Sequence, residues 1–176
     1  MVQVLDRKFE VAVHASEIQA RIKEMAASIK ADLGDKKPLL IAVLNGAFIF
    51  AADLIRSLDF PCEICFVKYK SYVGMQSTGN VTGLIGLEQD IKGRHVIIVE
   101  DIVDSGLTMQ SLQSVLLEKE PASLRIACCA MKPAALKCPL KVDYVAFDFE
   151  NLFLVGYGLD YDGYGRNLPD IYVLSE

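Results

Sequence analysis

The chain has 176 residues, 52% hydrophobic and 23% charged, a balance that excludes a disordered segment and suits one domain with its own core. Its net charge of −5 comes with no run of lysine or arginine, so its overall field does not draw in a nucleic acid. Five cysteines, an odd number, follow a charged stretch from Asp6 to Glu10, which argues against a secretory leader and a disulfide framework and for a reduced, cytoplasmic setting.

Ser16 is a candidate helix N-cap, and Ile18, Ile22, Met25, Ile29 and Leu33 recur behind it at helical spacing until Gly34. Leu39–Leu44 is an unbroken apolar run, as expected of a strand covered on both faces, and Asn45-Gly46 reads as a turn. Phe50, Ala51, Leu54, Ile55 and Leu58 fit a second helix. The whole stretch Pro38–Ile55 is apolar, but Asn45, Gly46 and Asp53 interrupt it, so no membrane partner is expected. Cys62 and Cys65 have a metal-like spacing without a second pair, and core packing near the strand Ile64–Tyr69 explains them better. Gly74–Thr82 has two glycines and no apolar period, and is expected to be a mobile loop. His95–Val99 is a strand, Thr108–Glu118 a helix, and Leu124–Met131 and Tyr144–Phe147 two further strands. Phe153–Val155 is a short strand before the turn-rich Gly156–Asn167, and Ile171–Leu174 is expected to close the sheet. Strands alternating with helices predict a parallel sheet with helices on both faces.

The segment from Val96 to Met109 carries the chemistry. An apolar strand brings Glu100 and Asp101 to its carboxyl end, the edge at which open α/β sheets bind ligands. Asp104-Ser-Gly-Leu-Thr108 then turns into a helix, an arrangement that aims backbone N–H groups and hydroxyls at a phosphate. Two carboxylates beside a phosphate repel it unless they serve another group, either ribose hydroxyls or Mg²⁺. The plain alternative is a pair of solvated acids with Asp104 as a helix cap.

Val99–Met109 resembles the phosphoribosyl pyrophosphate motif of type I phosphoribosyltransferases. The rest of the chain is similar to the hypoxanthine (hypoxanthine-guanine) phosphoribosyltransferase family, bacterial type, through Leu44-Asn45-Gly46, Ser71-Tyr72, Lys132, and Phe153–Asp160 followed by Arg166. Each of these pieces alone has a bland reading: Lys132 as a solvated cap, Phe153 as core, Asp160 and Arg166 as turn residues. The resemblance implies an α/β fold with a central, mainly parallel sheet flanked by helices. A small hood is implied from residues 1–15 and 150–176 of a single 1–176 domain, with a flexible flap over residues 71–84. It implies Mg²⁺-dependent transfer of 5-phosphoribosyl to N9 of a 6-oxopurine in purine salvage, by a homodimer or homotetramer. Glu100 and Asp101 would take the ribose hydroxyls and Mg²⁺, and Asp160 a second Mg²⁺. Asp104 would accept the N7 proton, while Ser105, Gly106, Leu107 and Thr108 would hold the 5′-phosphate. Lys132 would donate to the 6-oxo group, Phe153 would stack on the base, and the Leu154 backbone would meet its edge. Arg166 and the loop Leu44-Asn45-Gly46, often with a cis peptide, would face pyrophosphate, and Ser71 and Tyr72 would belong to the flap. The chain departs from many relatives at Asn45, where they carry Lys, and from some at Leu107. An RNA-binding regulator on the same fold would need a basic stripe, which is lacking.

Overall fold

All five residues of Leu39–Val43 are buried, which requires packing on both faces of the strand. The computed structural model describes residues 1–70 and 83–175 and provides that packing. In chain order its first elements are β1 (Val2–Val4), β2 (Arg7–Val13), α1 (Ala15–Leu33), β3 (Leu39–Val43), α2 (Phe48–Ser57), β4 (Glu63–Lys70) and β5 (Gly83–Ile85). They are followed by β6 (His95–Val103), α3 (Leu107–Leu117), β7 (Ser123–Met131), β8 (Tyr144–Asp148), β9 (Leu154–Val155) and β10 (Ile171–Leu174).

Six strands form one sheet in the order β5-β4-β3-β6-β7-β8. Every neighbouring pair is parallel except β4 with β5. Side chains alternate across a strand, and that alternation divides the core. Leu40 and Ala42 point to the face that α1 and α2 cover with Ile18, Ile22, Ile29, Phe50 and Leu54. Leu39, Ile41 and Val43 point to the face that α3 covers with Met109, Leu112 and Leu116. Each such aliphatic side chain contributes about 1.5–3 kcal/mol by leaving water. The predicted helical stripe from Ile18 to Leu33 is buried throughout.

A second, antiparallel sheet has the order β1-β2-β10-β9. Its core is Val4, Phe9, Val155 and Tyr172. This sheet corrects one expectation and takes in the short strand expected at Phe153–Val155. Ile171–Leu174 does not close the main sheet but pairs with β2 and β9, and Phe153–Val155 contributes its strand here, over Leu154–Val155. The alternation of Phe9, Val11 and Val13 with Lys8 and Glu10 marks β2 in the sequence.

Ser16 is not the cap of α1. The helix begins at Ala15 with His14 as N-cap, and the Glu17 carboxylate accepts the His14 N–H at 2.9 Å. Glu17 stands three residues after the cap and can reach back to it, which Ser16 inside the first turn cannot. The Ala15 N–H is taken by Asp170 Oδ1 at 2.7 Å, tying this helix to the C-terminal segment. The loop expected over Gly74–Thr82, with Ser71 and Tyr72, lies outside the described residues.

Candidate active site

The strand order reverses at one place. From β3 the chain passes through α2 to β4 on one side, and from β6 through α3 to β7 on the other. A crevice at the carboxyl ends of β3 and β6 is the consequence. The pairing shows where it opens. Beta3 stays beside β6 only as far as Ala42 opposite Val99, whereas β7 continues beside β6 through Glu100, Ile102 and Val103. Glu100 and Asp101, expected at the strand's carboxyl end, therefore lie within a strand that runs on to Val103, on the stretch whose β3 flank has gone.

Into that gap turns Leu44-Asn45-Gly46, with a cis peptide between Leu44 and Asn45. Gly46 lies so close to Asp101 that a Cβ on it would overlap the carboxylate. Gly158, at φ +98°, approaches the Gly46 carbonyl in the same way, so the loop is held between Asp101 and the segment after β9. Asp101 Oδ1 accepts the Ile102 N–H at 2.8 Å, and Glu100 Oε1 accepts the Asp101 N–H at 3.2 Å. Burial, reinforced by the neighbouring Asp101, raises the Glu100 carboxyl well above its ordinary value.

Beyond β6, Gly106 takes φ +77° as the N-cap of α3, and the first helical bond runs from Gln110 N–H to its carbonyl. The turn borders a small cavity of about 120 Å³ lined by Glu100, Asp104, Ser105, Gly106 and Thr108 among others. The amino end of a helix over such a hollow suits a phosphate. Leu136 and Cys138 pack against Gly106 from behind, and Lys137 N–H bonds the Ser105 carbonyl at 2.9 Å. Neither contact was legible in the sequence, since both depend on how the chain returns after β7.

Lys132 is 6% exposed, the one buried charged residue among the described residues. Its N–H bonds the Val103 carbonyl at 2.9 Å, and its Nζ donates to Asp104 Oδ2 at 2.8 Å. A solvated cap is thereby excluded. Phe153 is 46% exposed, which excludes the reading as core. Its ring meets Phe9 at 6.4 Å and the edge of Tyr161 at 5.8 Å. Leu154 is buried in β9. Arg166 pairs with Asp160 at 2.6 Å and also donates to the Gly158 carbonyl, while the second Asp160 oxygen accepts the Gly163 N–H. Glu100, Asp101 and Asp160 do not form one three-carboxylate cluster; among the described residues there is no such group of three. Leu107, first residue of α3, is exposed.

A switch-point crevice, paired acids at its floor and a glycine-capped helix over a phosphate-sized hollow define a class. The chain belongs to the phosphoribosyl transferase domain family, whose model matches residues 14–162. Within it, the chain is similar to the hypoxanthine-guanine-xanthine phosphoribosyltransferase of Tritrichomonas foetus, 41% identical over 98% of this chain and 95% of that one. It is also similar to the hypoxanthine-guanine phosphoribosyltransferase of Aquifex aeolicus, 36% identical over all of both chains. The crystal structure of the hypoxanthine phosphoribosyltransferase of Trypanosoma cruzi superposes with a TM-score of 0.85 at 36% identity, covering 94% of this chain and 95% of that one. The fold is thus that of the type I phosphoribosyltransferases, as the resemblance implied. Among the described residues no helix is long and apolar enough to cross a membrane.

Proposed function

We propose that this chain is a purine salvage enzyme. It moves a 5-phosphoribosyl group from phosphoribosyl pyrophosphate to N9 of hypoxanthine or guanine, giving IMP or GMP and pyrophosphate. The observation that carries this reading is the Lys132–Asp104 pair at 2.8 Å beside the phosphate hollow. O6 and N7 sit side by side on one edge of a 6-oxopurine. A purine docking there takes the Lys132 ammonium onto O6 and sets N7–H against the Asp104 carboxylate. An adenine would face Lys132 with an amino donor, setting donor against donor in place of the O6 hydrogen bond.

Asp104 removes the N7 proton as N9 attacks C1 of the ribose, a general-base contribution of about 10²–10⁴. Ser105, Gly106, Leu107 and Thr108 hold the 5′-phosphate at the amino end of α3. Phe153 covers one face of the base and the Leu154 backbone meets its edge. Leu44-Asn45-Gly46 and Arg166 face the departing pyrophosphate, with Arg166 first released from Asp160. Ser71 and Tyr72 join the donor from the segment 71–84. Residues 1–15 and 150–176 act as a hood over the base within a single 1–176 domain.

Mg²⁺ is the proposed cofactor, held by Glu100 and Asp101 and, at a second position, by Asp160. The fit rests on the acids themselves. Two adjacent carboxylates at the floor of the crevice supply the hard oxygen donors that Mg²⁺ takes. When bound, the ion supplies charge neutralisation on the pyrophosphate leaving group. The five free cysteines suit a cytoplasmic enzyme, which we expect to be a homodimer or homotetramer.

The test is pyrophosphate release from phosphoribosyl pyrophosphate and Mg²⁺ with hypoxanthine, guanine, xanthine or adenine. Release is expected with hypoxanthine or guanine, and on the order of 10⁴ less with adenine. Release with adenine alone would leave the phosphate hollow standing and overturn the base pocket.

A further inference from the structure

Phe153 presents a puzzle of its own. A phenylalanine nearly half exposed, on the irregular chain just before a two-residue strand, would ordinarily sample several rotamers. Ordering such a ring on each binding event weakens affinity. Here the ring is flanked on two sides. Phe9 is fully buried, in β2 between β1 and β10, and its ring centroid lies 6.4 Å from that of Phe153. Tyr161 meets Phe153 edge-on, with centroids 5.8 Å apart and planes at 82°. Tyr161 also meets Phe9 at 6.2 Å, which closes a triangle of three rings. The Tyr161 hydroxyl is itself tied, donating to Asp6 Oδ1 at 2.9 Å in the two-residue turn between β1 and β2.

We infer that Tyr161, anchored through Asp6 and backed by Phe9, is a positioning residue that fixes the plane of the Phe153 ring for stacking on the purine. It acts through Phe153 and touches neither substrate. The N-terminal hairpin thereby becomes part of the base site: its turn holds a hydroxyl, the hydroxyl holds a ring, and that ring sets another. The inference rests on the stacking role proposed for Phe153.

The chain contains no tryptophan, so Phe153→Trp places a single indole at the stacking position. Binding of IMP is expected to quench this indole and raise its anisotropy. Adding Tyr161→Leu is expected to lower the anisotropy of the unliganded indole and weaken IMP binding about 2- to 10-fold, as loss of an edge-to-face partner does. Tyr161→Phe, which keeps the ring, should recover most of that loss. Asp6→Ala, in an exposed turn, should produce a smaller shift in the same direction without removing any ring. With Phe153 in place, Tyr161→Leu should raise the KM for hypoxanthine and leave that for phosphoribosyl pyrophosphate unchanged. An unliganded indole equally rigid with Leu at position 161, or equal losses in Tyr161→Phe and Tyr161→Leu, would overturn the brace. An indole that ignores IMP while pyrophosphate release persists would instead overturn the stacking role, and the brace with it.

Discussion

Asp104 and Lys132 lie 28 residues apart in the chain and 2.8 Å apart in the fold. Each explains the other: a buried ammonium needs a carboxylate, and a carboxylate at the mouth of a phosphate hollow needs a cation. Asp104→Asn is expected to lower kcat by about 10²–10⁴ and leave the KM for phosphoribosyl pyrophosphate nearly unchanged, in steady-state assays with hypoxanthine. Lys132→Met should raise the KM for hypoxanthine about 10- to 100-fold, since a hydrogen bond from a charged donor is lost, and should narrow the preference over adenine. Equal KM values for the two proteins would remove Lys132 from base recognition. At this scale the sequence was informative for Glu100 to Thr108, because strand, acids, glycine and helix follow one another without a gap. It was silent on the Lys132–Asp104 contact, because nothing in the spacing of the two residues says that β7 and β6 end side by side.

At the scale of elements, β3, α2, β6 and α3 were legible because apolar runs and helical stripes are local signals. Beta1, β2 and the placement of β10 were not read from local pattern. Beta1 and β9 are only three and two residues long, and β2, although its residues alternate, finds its partner β10 across the length of the chain, with Ile171 opposite Val13. The ends of elements were also hidden: the sequence stops the apolar run at Val99, but pairing with β7 carries β6 on to Val103. Gly158 sits at φ +98° against the Gly46 carbonyl. Gly158→Ala should cost about 1–3 kcal/mol in urea unfolding and reduce activity in parallel, because the displaced carbonyl belongs to the loop that faces pyrophosphate. Elsewhere, Asp32 in α1 binds Arg125 and accepts the Tyr144 hydroxyl at 2.7 Å. That hydroxyl is the largest cause of a carboxyl lowered below 3.8. A depressed folded-state value means stability present above the unfolded value and lost as pH falls through the folded one. Tyr144→Phe should therefore lower Tm at neutral pH. The difference should shrink once pH drops below 3.8, as followed by thermal melts across an acid series.

Over the whole molecule, the small sheet has a core of its own yet also feeds the main one, through Val13, Leu154 and Ile171. Asp170 takes the first N–H of α1, Gly158 packs on Gly46, and the Tyr157 hydroxyl donates to Asp53 of α2 at 2.7 Å. Because these joints involve residues around the proposed site, the small sheet should not unfold independently while the site is intact. A single urea transition, coincident by far-ultraviolet circular dichroism and by the Phe153→Trp indole, is the expected result. An indole transition at lower urea would show that the antiparallel sheet melts first.

The parting of β3 from β6 after Val99 bears on how such a protein tolerates improvement. Continued pairing would add ladder bonds to a parallel sheet and would be favoured by any selection for heat resistance alone. It would also close the cleft in which Glu100, Asp101 and the Leu44–Gly46 turn meet. Stabilising substitutions found by screening for thermal survival should therefore fall in α1, α2 and the outer strands. Those that reach residues 44–46 or 100–103 should appear as hardy but inactive variants.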